Sequence, residues 1–293
     1  MKTYHPSNKI GPQGLKWLIL TTIIGGATIG GLTFLISQLV YLIIIFPVIM
    51  GILGGGLNAL AIEKGKVRNP LIATVFGLLM GLSIYGSMNL GHYWSFKNLI
   101  NKEAKSINNE LSQSEIDSRL DEYLLSKTGQ KGFIGFMKFS AQQGTQISRV
   151  TTQNNSFKLD ETGTYIYWLL ELGLIEGLIF AMSFGASKKP FCESCEQWYP
   201  PEQYLGNVQK LSEENFVNLL KQENYSQGGK LVNLLGVTYP PNLEITYQCC
   251  PNCSNSDTVV NINQYTLGSK GEFNKNSYLD LLLSPHQRSE FFS

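Results

Sequence analysis

The sequence predicts an α-helical polytopic membrane protein with four transmembrane helices, followed by a small α+β domain. Three observations predict this class: four apolar windows of about 20 residues, the concentration of charge outside them, and the placement of all five cysteines after the last window. At a rise of about 1.5 Å per residue, about 20 residues cross the roughly 30 Å hydrocarbon core of a bilayer. The chain has 293 residues and a net charge of +1, which excludes a nucleic-acid binder driven by bulk charge.

The four apolar windows cover residues 17–37, 41–62, 71–89 and 164–184. Together they hold two charged residues, Glu171 and Glu176, so each window can span a lipid bilayer. Helices buried in a large soluble core are usually shorter and amphipathic, which disfavours that alternative. The first window is longer than the apolar region of a signal peptide and lacks a following cleavage site, so we expect a retained helix.

Lysine and arginine residues predict the orientation of these helices, because short cytoplasmic connections carry an excess of them. They occupy the N-terminal tail, the connection between the second and third windows, and the segment after the fourth: Lys2, Lys9, Lys16, Lys64, Lys66, Arg68, Lys188 and Lys189. These segments and both termini are therefore expected in the cytoplasm. The resulting map has a three-helix transmembrane region (1–90), an extracytoplasmic helical segment (91–163), a fourth transmembrane helix (164–186) and a cytoplasmic domain (187–293).

Glycines four residues apart recur in the first three windows and indicate close helix packing, because they leave a flat stripe that another backbone can approach. The pairs are Gly26 and Gly30, Gly51 and Gly55, and Gly77 and Gly81. We expect these stripes to pack inside the bundle. Homo-dimerisation through one stripe and a conduction path are the alternatives.

The two carboxylates of the fourth window are candidate functional residues, because a charge inside a bilayer is costly. Glu171 lies about 4.5 Å below the aromatic belt at Trp168 and is expected to reach interfacial water. Glu176 lies about 12 Å deep, and five residues of helix turn it about 140° away from Glu171, onto another face. Since the other windows hold no basic residue, we expect Glu176 to be protonated, to bond to a polar neighbour such as Asn58 or Thr28, or to face a cavity or a partner. Structural hydrogen bonding inside the bundle is the favoured interpretation. A proton- or ion-coupling role is the alternative.

The segment between the third and fourth windows predicts two helices. In SQSEIDSRLDEYLLSK, Ser114 is the expected N-cap, and Ile116, Leu120 and Leu124 recur at helical spacing. The following run, GFIGFMKFSAQQG, is expected either to lie on the membrane surface or to form a small helical cap packed on the first helix. We favour the cap.

Four of the five cysteines form two Cys-x-x-Cys knuckles: Cys192 with Cys195, and Cys250 with Cys253. Four thiolates are a complete tetrahedral set for one structural Zn²⁺ with no open position. A redox dithiol is the rival interpretation, but the sequence shows two motifs, no βαβ pattern and an expected cytoplasmic location, where disulfides are rare. Cys249 is surplus and is expected to be a buried strand residue, with a ligand role as the alternative.

The knuckles and their adjoining strand-like runs resemble the zinc-ribbon class of domains. The second knuckle lies between NLEITYQ and TVVNINQYTL, which is the hairpin context that this class implies, and such domains often dock protein or nucleic acid. The chain departs from the compact pattern because 54 residues separate Cys195 from Cys250. In the compact pattern about 15–20 residues separate the two knuckles. The excess predicts a helical insert with two short helices, LSEENFVNLLKQ, started by Ser212, and GGKLVNLLGV.

These observations predict an integral membrane protein with a cytoplasmic structural-zinc module for protein interaction, assembly or regulation of a membrane complex. A protein partner or a homo-oligomer is expected. Residues 187–293 hold eight basic and eleven acidic residues, so no nucleic-acid partner is expected. The chain shows no constellation of catalytic residues, which disfavours an enzyme. The alternatives are a small transporter or channel that uses Glu176, and a thiol redox protein.

Overall fold

The computed structural model describes residues 2–39, 43–107, 111–149, 152–234, 243–253, 255–269 and 271–293. These residues form two units. The helical unit comprises Gly14–Gly65 and Leu71–Phe184. The C-terminal unit comprises Met1–Gln13, Lys66–Pro70 and Gly185–Ser293.

Long helices dominate the helical unit. Its elements are α1 (Gly14–Ser37, with a π-helical turn at Thr21–Gly25), α2 (Ile45–Lys64), α3 (Pro70–Ile107), α4 (Gln113–Thr128), α5 (Gly132–Gln143), a hairpin of β1 (Gln146–Arg149) and β2 (Thr152–Lys158), and α6 (Glu161–Lys188). The helices α1, α2, α3 and α6 are long and apolar enough to cross a membrane, which confirms the four windows as helices. Residues 40–42, which include the start of the second window, lie outside the described residues.

The third window differs most from its prediction, because α3 continues beyond Asn89 to Ile107. Hydropathy falls after Asn89, but the helix still has a packing partner. The rings of Tyr93 and Phe96 lie 5.5 Å and 5.2 Å from the ring of Phe136 in α5. Because such ring contacts stabilise the extension, the hydropathy window marks the apolar part of this helix and not its end.

The helices α4 and α5 pack against each other, as the cap interpretation predicts. The ring of Tyr123 in α4 lies 5.8 Å from that of Phe139 in α5. The N-cap of α4 is Ser112 and not Ser114, because the Ser112 hydroxyl accepts from the backbone N–H of Glu115 while the Glu115 side chain returns a bond to the Ser112 backbone. A capping box needs Glu or Gln three residues after the N-cap, and the residue three positions after Ser114 is Asp117.

The glycine stripes pack against other helices of the same chain, which is the internal packing expected from the sequence. Gly30 of α1 faces the backbone carbonyl of Ile84 in α3, and Gly51 of α2 faces Leu178 in α6. A Cβ at either position would overlap atoms of the neighbouring helix. By contrast, the space beside Gly31 is open to 4 Å.

A four-stranded antiparallel sheet forms the centre of the C-terminal unit. Its elements are β3 (Phe191–Cys192), β4 (Gln197–Trp198), β5 (Gln203–Val208), α7 (Lys210–Lys221), α8 (Tyr225–Gly229), β6 (Leu243–Gln248), β7 (Thr258–Leu267), β8 (Phe273–Leu283) and α9 (Pro285–Phe291). The strand order is β5-β6-β7-β8, and β3 and β4 pair separately. The hydrophobic core residues of β6, β7 and β8 lie two positions apart along each strand and pack with Phe216 of α7 and Phe291 of α9.

The insert between the knuckles is only partly helical, so the prediction of two helices is half wrong. The helix α7 forms, but it starts at Lys210 and not at Ser212. The second predicted helix, GGKLVNLLGV, does not form in its described part, because α8 ends at Gly229 and the backbone of Asn233 pairs instead with that of Asn207. The last three residues of that run lie outside the described residues. The insert also supplies β5 and β6, so it builds half of the central sheet.

Two short segments that are remote in sequence from residues 185–293 join the C-terminal unit. Ile10 and Val67 form an antiparallel bridge. The backbone N–H of Leu282 in β8 donates to the carbonyl of Lys2 at 2.7 Å. The N-terminal tail, the connection between α2 and α3, and the C-terminal domain thus share one unit.

Gly30→Ala should lower the stability of the helical unit by about 1–3 kcal/mol, because the added Cβ overlaps the Ile84 carbonyl and a helix backbone cannot move aside locally. The measurement is the loss of helical circular dichroism as SDS is titrated into full-length protein in detergent micelles. Gly31→Ala is the matched control and should unfold like the wild type, because its Cβ meets open space. Equal stability of the two variants would contradict this packing.

Candidate metal centre and intramembrane carboxylates

The first knuckle lies on a short hairpin. Because β3 pairs with β4, Cys192 lies opposite Gln197, and Cys195 lies in the turn between them. Glu196 adopts a left-handed backbone conformation with φ of 50°, which reverses the chain directly after the second cysteine. The turn therefore directs both cysteines of the knuckle toward one point.

The second knuckle occupies the connection between β6 and β7, which is the hairpin context predicted from the sequence. These strands pair up to Gln248 and Val259, and Cys250 and Cys253 follow in the connection. The Ser256 hydroxyl donates to the Cys253 carbonyl at 3.0 Å and holds the turn.

The two knuckles bring their sulfur atoms together. The Sγ atoms of Cys192, Cys195 and Cys250 all lie within 4.8 Å of one another. Cys253 lies beside them, because the Ser194 hydroxyl oxygen is 3.3 Å from its sulfur and 3.2 Å from that of Cys192. Three to four thiols at this separation could hold one metal ion. We call these four residues the cysteine cluster.

Cys249 lies next to the cysteine cluster in sequence, but its sulfur is not among the three that lie within 4.8 Å of one another. The expectation that it is a buried strand residue is wrong. It follows the end of β6 at Gln248 and is half-buried. The strand β6 ends there because the chain must turn away from the neighbouring strand to direct Cys250 toward the first knuckle.

The amide group of Gln197 links the two knuckles. Its nitrogen donates to the sulfur of Cys250 at 2.9 Å, and its oxygen accepts from the amide of Asn252 at 3.0 Å. The neighbouring ring of Trp198 packs edge-on against Phe191, with centroids 5.0 Å apart. A donor directed at a sulfur stabilises its thiolate form, so Gln197 favours the state that binds metal.

The pKa values of two thiols of the cysteine cluster shift in opposite directions. Against the effect of burial, hydrogen bonds from the Asn252 backbone and the Gln197 side chain lower the pKa of Cys250. Burial and contacts with the sulfurs of Cys250, Cys192 and Cys253 raise the pKa of Cys195 to about 12. A divalent cation reverses the shift at Cys195, because a metal ion stabilises thiolates and displaces their protons.

Basic residues of the connection between α2 and α3 contact the first knuckle, which the sequence interpretation missed. The Arg68 guanidinium lies 4.2 Å from the centroid of the Phe191 ring and 3.2 Å from the Glu193 carboxylate. Lys66 pairs with Glu196 at 2.9 Å and lowers the pKa of Glu196. The acidic residues within and after the first knuckle, opposite a basic connection, are the sequence signal that could have indicated this contact.

Glu171 is buried in the helical unit, so the expectation that it reaches interfacial water is wrong. The residue is 5% exposed. Its carboxylate accepts hydrogen bonds from the hydroxyl of Tyr85 in α3, at 3.3 Å, and from the hydroxyl of Tyr167, one turn earlier in α6. The two phenols take the place of interfacial water as donors.

Glu176 does not make the hydrogen bonds expected from the sequence. Neither of its carboxylate oxygens, both buried, has a hydrogen-bond partner among the described residues. Asn58 donates instead to the Ser183 hydroxyl at 2.7 Å, and Thr28 donates to a backbone carbonyl of its own helix. The Glu176 carboxyl lies against α3 at Gly81, where a Cβ would be 2.5 Å from its Cδ.

The two carboxylates both reach α3, although helical geometry sets them about 140° apart around α6. Glu171 contacts Tyr85 and Glu176 contacts Gly81, and these positions are four residues apart on α3. Their angular separation on α6 is spanned because glutamate side chains are long and both bend toward the same neighbouring helix.

The fold and the site define a chain with four membrane-length helices and a small antiparallel sheet domain that carries a cysteine cluster suited to metal. Comparison with known proteins finds no matching family model, no similar curated protein and no similar solved structure. The chemistry of these residues is therefore the basis for a functional proposal.

Glu176→Met should leave the protein at least as stable as the wild type, because it removes two buried oxygens that have no partner among the described residues and keeps the side-chain length. Glu176→Gln should be less stable than the Met variant by about 1–3 kcal/mol, because its amide group needs partners too. Thermal unfolding in detergent measures the difference. A Met variant that is clearly destabilised would show that the carboxyl group has a bonding partner.

Proposed function

We propose that the chain is an integral membrane protein whose C-terminal unit is a cytoplasmic zinc module for protein interaction, assembly or regulation of a membrane complex. The convergence of the two knuckles carries this proposal. Sulfur ligands about 2.3 Å from a tetrahedral Zn²⁺ lie about 3.8 Å apart, and three of these sulfurs lie within 4.8 Å of one another. Thiolates favour zinc over calcium or magnesium. Four thiolates leave no open position, so the ion stabilises the fold and does not catalyse.

The outward surfaces of the four long helices support insertion into a bilayer. Large apolar side chains are exposed along them, including Ile23 at 61%, Leu35 at 60% and Leu82 at 53%. Soluble monomeric proteins rarely expose contiguous apolar surface, whereas lipid chains cover it without cost.

The composition of the C-terminal unit supports the proposed orientation. The N-terminal tail, Lys66–Pro70 and Gly185–Ser293 belong to one unit, so in an inserted protein they lie on one side of the membrane. These are the segments that carry the lysine and arginine excess of the short connections, which is typical of the cytoplasmic side.

The outer surface of the zinc module supports a role in protein interaction. Large apolar side chains are exposed on this unit, including Leu211 at 97%, Leu234 at 65% and Phe273 at 51%. Such side chains suit a protein partner or a second copy of the chain. The arrangement disfavours a redox dithiol, because all four knuckle cysteines lie together and a dithiol needs two.

Proton- or ion-coupled transport is the second candidate function, and Glu176 is the observation that favours it. Its buried carboxylate oxygens have no partner among the described residues, and intramembrane carboxylates of this kind are functional candidates by default. The Glu176→Met variant separates the two candidates. Normal protein level with loss of the cellular phenotype would favour transport, and an unchanged phenotype would leave the zinc module as the functional part.

The purified full-length protein should contain one zinc ion per chain, as measured by inductively coupled plasma mass spectrometry. Cys250→Ser should abolish zinc binding and unfold the C-terminal unit, because structural zinc contributes about 10 kcal/mol or more. Zinc should also be released as the pH falls, since each freed thiolate takes up a proton. Cys249→Ser is the matched control and should keep its ion. A folded, metal-free wild type, or equal zinc loss in both variants, would overturn the assignment.

Alkaline phosphatase fused after Gly129, the residue that ends α4, should be active in a bacterial host, because this enzyme needs an oxidising compartment. The same reporter fused after Ser293 should be inactive, since that residue belongs to the proposed cytoplasmic unit. Activity is measured in whole cells and normalised to fusion-protein level. The reverse pattern would invert the proposed orientation.

The wild-type protein, extracted from native membranes in mild detergent, should elute with a stoichiometric protein partner or as an oligomer of this chain. Cys250→Ser should lose that association, because its zinc module unfolds, and Cys249→Ser should retain it. Light scattering after size-exclusion chromatography gives the mass of each complex. A wild type that is monomeric and without a partner would contradict a role in interaction or assembly.

A further inference from the structure

A cavity of about 360 Å³ lies within the helical unit, where α3, α5 and α6 meet. Its polar lining includes Tyr85, Asn89, His92, Ser140, Tyr167 and Glu171. We call this space the Glu171 cavity. Its volume is near the lower end of the range of about 300–1,000 Å³ for small-molecule sites, so it fits a small ligand and not a folded peptide.

Glu171 gives this cavity its electrostatic character. It is the one carboxylate in the lining, and the described lining residues include no lysine or arginine. The hydroxyls of Tyr85 and Tyr167 donate to the carboxylate. A ligand that enters therefore meets a buried carboxyl group, which can form a charge-assisted hydrogen bond with a cation.

Aromatic rings form much of the remaining lining. Phe136, Tyr167 and Trp168 border the same space, together with Met88 and Met137. Ring faces attract cations, most strongly when water is excluded, and both ring and thioether groups pack well against hydrocarbon. The lining thus combines one carboxyl group with surfaces suited to an organic cation.

We propose that the Glu171 cavity binds a small protonated organic amine, with the ammonium group at Glu171 and the hydrocarbon part against the rings of Phe136 and Trp168. A hard metal ion such as Ca²⁺ is a poorer match, because it takes about six to eight oxygen ligands and the lining offers one carboxylate. This site is separate from the cysteine cluster, so it is independent of the zinc module.

The test measures binding of 2-phenylethylamine, benzylamine and butylamine to the full-length protein in lipid nanodiscs by isothermal titration calorimetry. The alcohols 2-phenylethanol, benzyl alcohol and butanol are matched neutral probes. At least one amine should bind saturably, and its matched alcohol should bind about tenfold more weakly or worse, because the alcohol lacks the charge-assisted bond to Glu171.

Glu171→Gln should weaken amine binding by about tenfold or more while the variant stays folded, since it keeps the side-chain shape and removes the charge. Glu176→Gln is the matched control: it removes a carboxylate from the same helix that does not line the cavity, so amine binding should persist. The proposal is overturned if no amine binds saturably up to about 10 mM, if the alcohols bind equally well, or if a folded Glu171→Gln variant binds like the wild type.

Discussion

Close approach of helix backbones at glycine is the constraint on which the helical unit depends. Gly30 brings α1 onto α3 at Ile84, and Gly81 leaves the space on α3 that the Glu176 carboxyl group occupies. Van der Waals contact is the main attraction between helices in lipid, because the hydrophobic effect does not distinguish one apolar neighbour from another. The positions of both carboxylates, and of the cavity beside Glu171, follow from the residues of α3 that face them. Gly81 leaves room for the Glu176 carboxyl group, and Tyr85 donates a hydrogen bond to Glu171.

The cysteine cluster imposes a different constraint on the C-terminal unit, since it ties together two short segments on either side of a long insert. Loop-closure entropy rises slowly, by about 0.6 kcal/mol for each doubling of length, so an insert of 54 residues costs only roughly 1 kcal/mol more than a compact one. The insert offsets this cost by supplying β5, β6 and α7, with Phe216 and Leu220 in the core. It is therefore part of the fold and not an appendage.

Composition and spacing predicted the parts that depend on local sequence. Four helices, two knuckles and the β6–β7 hairpin all follow from apolar length, cysteine spacing and alternation. The predictions that were wrong concern features that depend on neighbours remote in sequence. The end of α3 depends on the rings of α5, and the burial of Glu171 depends on Tyr85. The pairing of Asn233 with Asn207 overrides helical periodicity in the same way. The amino-acid sequence alone does not show which residues, remote from one another in the chain, come into contact.

The hydrogen bond between the Leu282 N–H and the Lys2 carbonyl has a consequence for biosynthesis. At about 5–20 residues per second, a ribosome adds Leu282 roughly 15–60 s after Lys2, when the apolar helices have already left the exit tunnel. During that interval the N-terminal tail must stay on the side of the membrane where β8 will form. If α1 inserted backwards, Lys2 would be carried across the bilayer, and this edge of β8 would be left open to a strand from another molecule. Correct insertion of the first helix is thus a condition for the hydrogen bond that Lys2 makes to the edge of the last strand.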